Sequence, residues 1–265
     1  AKKYKVSYSN SEQGKIKGIT NEDVSHNSNP LGTKTTPNKG YKFKYWVANK
    51  DVKLKDGKTI QKGKQIKDIK SIVVSENITF TPVFEKGTFK ISYQSDNNGI
   101  ITGSEIQNVT YPNTLSATQT TSLDENYEFQ HWTSNTDVLL NDDTEIKKGD
   151  PITNDELTKI VATNDMVLTA NYSQQLFNVY YLNYEDIVVT ENSKEIVGKK
   201  EPLTGPKLDR SRWDKEIVYT SDKNVTLSSG ETIKARKAIT QEQLKQINVN
   251  QDLNITPRYE SDLKL

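Results

Sequence analysis

The 265-residue chain contains no cysteine, a single methionine and only two histidines. The absence of cysteine excludes disulfides, thiol catalysis and cysteine-ligated zinc. No apolar run approaches the roughly 20 residues of a membrane-spanning helix. Net charge is also small, because 36 Lys and Arg stand against 35 Asp and Glu and leave +1. Such a chain has no bulk electrostatic attraction for nucleic acid or for an anionic membrane surface.

Apolar residues are scarce as well, at 32% of the chain. Even with the 13 glycines added, the fraction stays below the roughly 45–50% of typical globular domains. This argues against one large core and for small modules with a high ratio of surface to volume. The 13 tyrosines and three tryptophans are nevertheless too many aromatic residues for a disordered chain. Because the chain begins at Ala1, we expect it to be an excised or processed segment of a longer protein.

One pattern occurs three times along the chain. Each occurrence opens with an alternating apolar stretch: Tyr4-x-Val6-x-Tyr8, Phe89-x-Ile91-x-Tyr93 and Phe177-x-Val179-x-Tyr181. Each continues with Leu, Ile and Ile at six-residue intervals: Leu54, Ile60 and Ile66, then Leu140, Ile146 and Ile152, then Leu227, Ile233 and Ile239. Each closes on an aromatic residue, with spacings of 88 and 87 residues: Phe84, Tyr172 and Tyr259. The pattern predicts three tandem repeats.

The repeats predict three domains, at residues 1–86, 87–174 and 175–265, which we call modules 1, 2 and 3. The junctions at residues 85–87 and 173–175 are too short to act as flexible spacers, so we expect an elongated, end-to-end array. Within a module, period-two alternation predicts several strands. Thr153 with Glu156, and Thr240 with Gln243, have the spacing of a capping box and predict a short helix in modules 2 and 3. Module 1 is two residues shorter there, which predicts a single helical turn.

The predicted fold class is therefore mainly β with short helices (α+β), the helix packed on one sheet face. Two modules carry similar aromatic strands, which we expect to supply the structural core: Trp46 with Tyr41 and Phe43, and Trp132 with Tyr127 and Phe129. Trp213 is the third tryptophan. The preferred interpretation places all three in their module cores. The alternative is a platform for stacking sugars or docking proteins.

These aromatic strands carry a family resemblance. Gly40-Tyr41-x-Phe43-x-x-Trp46, its counterpart ending at Trp132, and the lysine- and glycine-rich stretch 57–66 resemble internalin-B-type B repeats and their divergent relatives. The resemblance implies a β-grasp-like (ubiquitin-like) module in secreted, wall-attached proteins of Gram-positive bacteria. In such proteins it commonly lies between an adhesive head and an anchor. It implies no catalytic residues.

The residues themselves point to no reaction. His26 and His131 lack partners at metal or triad spacing, and no phosphate-binding or nucleophile motif is present. Residues 94–99 with Glu105 partly fit a calcium loop, but Asn98-Gly99 is a stronger signal for a hairpin turn. We therefore predict no enzyme, no metal site and no cofactor. An isopeptide crosslink and a calcium site remain open.

Module 3 departs from the pattern around Trp213. Counted from the tryptophan, the spacing to the next leucine is 8, 8 and then 14, which predicts a six-residue insertion within Asp214–Asp222. Added loops often carry binding residues. The candidates for partner contact, all of residue types enriched in binding hot spots, are Arg210, Arg212, Trp213 and Tyr219. The alternative is an insertion that only lengthens a hairpin or packs on module 2.

The predicted function is a non-enzymatic spacer and interaction region of a Gram-positive cell-surface, adhesin-like protein. One alternative is an adhesin region that binds a host protein or a glycan. Another is an accessory module of a secreted glycan-degrading enzyme. We expect a monomer outside the cell, without nucleic acid and without membrane insertion.

Overall fold

The computed structural model describes residues 2–263. The strands of module 1 are β1 Lys3–Tyr8, β2 Gly14–Lys17, β3 Asn21–Ser25, β4 Lys34–Pro37, β5 Tyr41–Ala48, β6 Val52–Leu54, β7 Thr59–Ile60, β8 Ile72–Val73 and β9 Ile78–Lys86. The strands of module 2 are β10 Thr88–Ser95, β11 Gly99–Ile101, β12 Ile106–Thr110, β13 Thr120–Ser122, β14 Tyr127–Ser134, β15 Val138–Leu140, β16 Glu145–Ile146, β17 Ile160–Val161 and β18 Met166–Gln174. The strands of module 3 are β19 Leu176–Tyr181, β20 Val188–Glu191, β21 Lys194–Gly198, β22 Lys207–Asp209, β23 Ile217–Ser221, β24 Val225–Leu227, β25 Thr232–Ile233, β26 Ile247–Asn248 and β27 Leu253–Tyr259. The prediction of a mainly β fold is confirmed.

The same strand order recurs in three four-stranded sheets. They are β3-β1-β9-β5, β12-β10-β18-β14 and β21-β19-β27-β23. In each sheet the first and last strands of the module lie side by side and parallel. Three-stranded sheets also recur, as β7-β6-β8, β16-β15-β17 and β25-β24-β26. Two-stranded ribbons complete the set: β2-β4, β11-β13 and β20-β22.

Alternation along the last strand of each module builds the cores. In β9 the side chains of Ile78, Phe80, Pro82 and Phe84 are buried and the residues between them are more exposed. This is the period-two pattern of a sheet with one face on a core. In module 1 the side chains of Ile78 and Phe80 pack with Val6, Tyr8 and Trp46. In module 3 an equivalent cluster contains Val179, Tyr181, Leu227, Ile239 and Ile255.

The helices are very short. They are the 3-10 helix Ile69–Ser71, α1 Asn154–Leu157, α2 Gln241–Leu244 and the 3-10 helix Glu260–Leu263. Of these, α1 and α2 start where the capping signals predict. Both capping boxes are formed, before α1 and before α2. The single turn expected in module 1 is the 3-10 helix that begins after Asp68, whose side chain accepts a hydrogen bond from the Lys70 N–H. The capping-box predictions are confirmed.

Of the predicted core aromatics, Trp46 and Trp132 are buried, at 5% and 0% exposure. Tyr41, Tyr127 and Phe129 are half-buried. Phe43 is 37% exposed, which corrects its assignment to the core interior. A β-bulge lies between Phe43 and Tyr45, opposite β9.

The bulge explains which aromatic side chains meet. An extra residue in one strand shifts the alternation, so that two residues three apart face the same side. The Phe43 ring lies 5.6 Å from the Trp46 ring and 6.0 Å from the Phe84 ring. Phe43 therefore covers the edge of the core rather than filling its centre.

The described chain divides into two compact units. Unit 1 contains the residues up to Ser95, Ile101–Thr120 and His131–Ala170. Unit 2 contains Asp96–Ile100, Thr121–Gln130 and the residues from Asn171 onward. Module 2 contributes residues to both units.

Candidate partner-binding site in module 3

Tyr219 takes the position in module 3 that tryptophan takes in the other modules. Tyr219 and Ile239 exchange two backbone hydrogen bonds of 2.8 Å. Trp46 exchanges the same pair with Ile66, and Trp132 with Ile152. The tyrosine also lies eight residues before Leu227, the spacing found after both tryptophans.

Two predictions about module 3 are therefore wrong. With Tyr219 as the reference, the spacing to the leucine is unchanged, so the six-residue insertion does not exist. Tyr219 is 1% exposed and belongs to the core cluster, so its ring does not form an open contact surface. Its hydroxyl donates a hydrogen bond of 3.2 Å to Gln241 Oε1 at the start of α2.

Trp213 lies in the turn before β23 and is 65% exposed. Its assignment to a module core is wrong. The turn is closed by a hydrogen bond from the Lys215 N–H to the Arg212 carbonyl oxygen, 3.3 Å. The Arg210 guanidinium lies 5.3 Å from the centre of the Trp213 ring, which is within the range of a cation–π contact. Arg210 is held there by donating to the Lys215 carbonyl oxygen at 2.9 Å.

A cavity of about 330 Å³ opens beside Trp213. It lies between β22, β23 and the start of α2, and it is lined by Pro206, Leu208, Arg210, Trp213, Ile217, Tyr219 and Gln241. The structure thus brings together three of the four predicted contact residues. An exposed indole, a guanidinium and an amide at one opening can stack on a ring and hydrogen-bond its substituents.

Arg212, the fourth predicted residue, is engaged inside the module. Its guanidinium lies 3.8 Å from the centre of the Tyr259 ring. It also forms ion pairs with three carboxylates: Glu185 at 3.0 Å, Asp186 at 3.4 Å and Asp262 at 3.5 Å. Arg212 therefore fastens the turn after β19 to the end of β27.

Asp186 is the centre of that fastening. It accepts hydrogen bonds from the Ser211 hydroxyl and from the Tyr259 hydroxyl, the latter at 2.8 Å. These two hydrogen bonds hold the pKa of the Asp186 carboxyl below its ordinary value. The geometry gives Asp186 and Arg212 a structural role at the base of the Trp213 turn.

The sequence interpretation missed a buried carboxylate in module 3. Glu195 is 9% exposed and accepts a hydrogen bond of 2.6 Å from the Tyr181 hydroxyl. Its second oxygen accepts from the Thr204 N–H at 2.9 Å and from the Thr204 hydroxyl at 2.8 Å. The Gly205 N–H donates to the first oxygen at 2.8 Å. Burial alone would raise the pKa of Glu195, but the hydrogen bonds outweigh it and the pKa is lowered.

Modules 1 and 2 have related networks. In module 1 the Tyr8 hydroxyl donates to Glu22 Oε1 at 2.5 Å, and the Gly32 N–H donates to the same oxygen at 3.1 Å. In module 2 an amide replaces the carboxylate: Gln107 accepts from the Ser116 N–H at 3.1 Å and donates to its carbonyl oxygen at 3.0 Å. Tyrosine and Glu or Gln are 14 residues apart in all three modules, and this spacing was the available signal. Since all the oxygens are satisfied, these groups staple a loop to the sheet.

Residues 4–86 match the family model of the divergent InlB B-repeat domain. The match covers most of module 1 and less than half of the chain. The resemblance inferred from the aromatic strand is confirmed for this segment, and it indicates a bacterial surface repeat region. No curated protein and no solved structure matches the chain significantly.

Two further findings concern the described chain. Between residues 2 and 263, no helix has the length and apolar character that a membrane crossing requires. Over the same residues, no cluster of His, Asp and Glu side chains has a geometry that could hold a metal ion.

Proposed function

We propose that the chain is a tandem array of three B-repeat-like modules, at 1–86, 87–174 and 175–265. In this proposal it serves as a non-enzymatic spacer and interaction region of a Gram-positive cell-surface protein. The family match of module 1 supports the surface location, and the recurring sheets support the array. A β-grasp-like fold for each module, as the resemblance implies, is part of the same proposal.

One recurring hydrogen bond carries the tandem interpretation. In module 1 a side chain in the turn between β5 and β6 accepts a hydrogen bond from a backbone N–H near the start of the last strand. The corresponding turns of modules 2 and 3 do the same. The pairs are Asn49 with Thr79 at 2.9 Å, Asn135 with Val167 at 2.8 Å, and Asp222 with Asn254 at 2.8 Å. Side-chain bonds of this kind fix a turn to a strand. Their recurrence at corresponding positions is the expected result of one module repeated three times.

The junctions support a spacer role. The Gly87 N–H after module 1 donates to the Gly40 carbonyl oxygen at 2.8 Å. The Gln175 N–H after module 2 donates to the Asn126 carbonyl oxygen, also at 2.8 Å. Each connecting segment is thus bonded to a turn of the preceding module, which restricts its freedom. Restricted junctions favour a spacer that holds a distance over a flexible tether.

Small-angle scattering tests the array. For 265 residues, compact scaling gives a radius of gyration of roughly 18 Å. We expect a value clearly above it. A measured radius at the compact value would contradict the end-to-end arrangement.

The exposed indole of Trp213 favours a second candidate function, a ligand-binding adhesin region. The occupant of the cavity would be a host glycan or a host protein. Binding of the fragment to glycan and protein arrays tests this, with Trp213→Ala as the variant. Leu31→Ala, at a residue 75% exposed in module 1, is the matched control. Binding lost only in the tryptophan variant supports the adhesin role, and equal binding by both variants contradicts it.

The non-enzymatic assignment has its own test. Hydrolysis of a glycan by the isolated chain, abolished by one carboxylate substitution, would overturn it. A catalytic domain in the same gene would instead favour the accessory module of a secreted enzyme.

A further inference from the structure

Module 1 has a groove of about 280 Å³ beside its small three-stranded sheet. Val52 lies at its base and is 4% exposed. Thr59 and Ser75 lie on its walls and are exposed, as are the carboxylate side chains Asp51 and Glu76. The lining thus combines buried apolar side chains with charges of both signs, because Lys53 also lines the groove and Glu76 forms an ion pair with Lys50 at 2.6 Å.

The corresponding surface of module 2 is occupied. Strand pairing fixes the correspondence, because Leu54 pairs with Ile72 as Leu140 pairs with Ile160. Three residues further on, Ser75 therefore corresponds to Thr163. The Gly40 N–H of module 1 donates to the Thr163 carbonyl oxygen at 3.3 Å.

An ion pair accompanies this contact. Lys39 Nζ lies 3.3 Å from Glu145 Oε1. Glu145 pairs with Leu139 as Thr59 pairs with Lys53, so Thr59 is its counterpart in module 1. Thr163 is only 9% exposed, whereas Ser75 is exposed. The difference is that module 2 carries a seated turn, Asn38–Tyr41, on this surface.

The seated turn has a strict chemistry. Gly40 has φ of +83°, and a Cβ there would lie 2.3 Å from the Tyr111 ring. Gly40, the second of the two central residues of the Asn38–Tyr41 turn, must therefore be glycine. In module 1 the residue that follows β3, as Tyr111 follows β12, is His26, whose side chain is also a ring.

The second junction has another chemistry. Its turn carries Glu125 and Asn126, and Glu125 forms an ion pair with Lys200. Asn250, the counterpart of Thr163 in module 3, is exposed. This surface is therefore covered where a Lys-Gly turn precedes it, at the first junction, and is exposed at the second junction.

We propose that the groove of module 1 is a docking site for the Lys-Gly β-turn of a further B-repeat-like module, seated as Asn38–Tyr41 is seated on module 2. The Ser75 carbonyl oxygen accepts the glycine N–H, and the lysine lies beside the Asp51 carboxylate, since Glu76 is already paired with Lys50. This inference rests on the proposed tandem function. It adds which surface recognises a neighbour and which turn it accepts.

The absence of cysteine makes a thiol test possible on the full chain. A second copy of residues 1–85 is fused to the N-terminus of the full chain. Ala1 of the original chain then takes the place of Lys86 after the added copy, so the spacing between modules is the same as at the first junction. Ser75→Cys in the original module 1 supplies the only thiol. We expect the added module to slow thiol labelling about tenfold or more relative to the unextended chain, because the seated turn covers this site. Gly40→Ala in the added module should restore fast labelling.

Two matched variants complete the design. Lys15→Cys, at an exposed position of β2, should label equally fast with and without the added module. Ala48→Cys in the added module reports its folding, since this side chain is 4% exposed in module 1. Fast labelling of Ser75→Cys beside a folded added module overturns the proposal. An added module that stays unfolded also counts against it, because a turn seated on a fitting groove would stabilise it. Scattering of the unextended chain tests the array independently of this result.

Discussion

The Tyr181 hydroxyl donates a hydrogen bond of 2.6 Å to the Glu195 carboxylate, across the pair of strands β19 and β21. The same carboxylate accepts from the backbone at Thr204 and Gly205. A single buried side chain thus joins the sheet to the loop before β22. A buried charge that is fully hydrogen-bonded fixes a structure, and removing one of its donors is costly.

Tyr181→Phe should lower the free energy of unfolding of module 3 by about 1–3 kcal/mol, because the buried carboxylate loses a donor. Urea denaturation followed by tryptophan fluorescence and circular dichroism measures the change. Tyr180→Phe is the control, since Tyr180 is adjacent but 40% exposed. Similar effects in the two variants would contradict a stapling role for Tyr181.

Glu195 should also make module 3 sensitive to acid. Its folded-state pKa is lowered from an ordinary value of 4.5 by the hydrogen bonds it accepts. A lowered carboxyl pKa contributes stability above the unfolded-state pKa, and that contribution is lost as the pH falls through the folded-state pKa. Unfolding free energies of the native chain and of Glu195→Gln, measured from neutral pH down to about pH 2, should therefore converge in acid. Parallel curves would show that this carboxylate contributes no such term.

Substitution of a buried tryptophan and of the exposed tryptophan should change the free energy of unfolding by very different amounts. Trp132 is fully buried and its indole N–H donates to Asn154 Oδ1 at 2.8 Å. Trp132→Ala should cost about 3–5 kcal/mol of unfolding free energy. Trp213→Ala should change it by no more than about 0.5 kcal/mol, because the side chain is mostly exposed. Chemical denaturation of both variants checks this, and a large loss in the Trp213 variant would place that indole in a packed environment.

Gly40, at the first junction, and Gly57, in an open turn, form a matched pair for testing how tightly the junction is packed. Both have positive φ, +83° and +85°, so alanine is strained at either position. No atom lies within 4 Å of a Cβ built at Gly57, and Gly57→Ala should cost about 1–2 kcal/mol. Gly40→Ala should cost clearly more, since the new methyl would clash with the Tyr111 ring. Thermal unfolding of the two variants gives the comparison, and equal shifts would show that the ring moves aside freely.

Local chemistry made parts of the fold predictable. Thr153 and Thr240 start their helices where the capping boxes predict, because a capping box is satisfied within four residues. The burial of Trp46 follows from its place in a strand of alternating character. The contact between Phe43 and Trp46, three residues apart, does not, because the bulge that turns them to one side depends on the partner strand as well as on the strand itself.

The candidate site shows why the rest was missed. Aligning tryptophan with tryptophan placed Trp213 in the core, although the true counterpart is Tyr219. The core position is defined by its backbone pairing with Ile239 and by its distance to Leu227. It can be filled by tryptophan or by tyrosine. The 14-residue spacing of Tyr181 and Glu195 recurs in the other modules and was overlooked, whereas Thr204 reaches Glu195 only through the tertiary fold.

Three main-chain hydrogen bonds run in series through the first junction. The Tyr111 N–H donates to the Gly87 carbonyl oxygen, the Gly87 N–H to that of Gly40, and the Gly40 N–H to that of Thr163. Main-chain groups are the same in every sequence, so substitutions at the surrounding surface positions leave this connection in place. Between related proteins, the sequence at such a junction is therefore free to drift around one required glycine while the path of the chain through it is inherited unchanged.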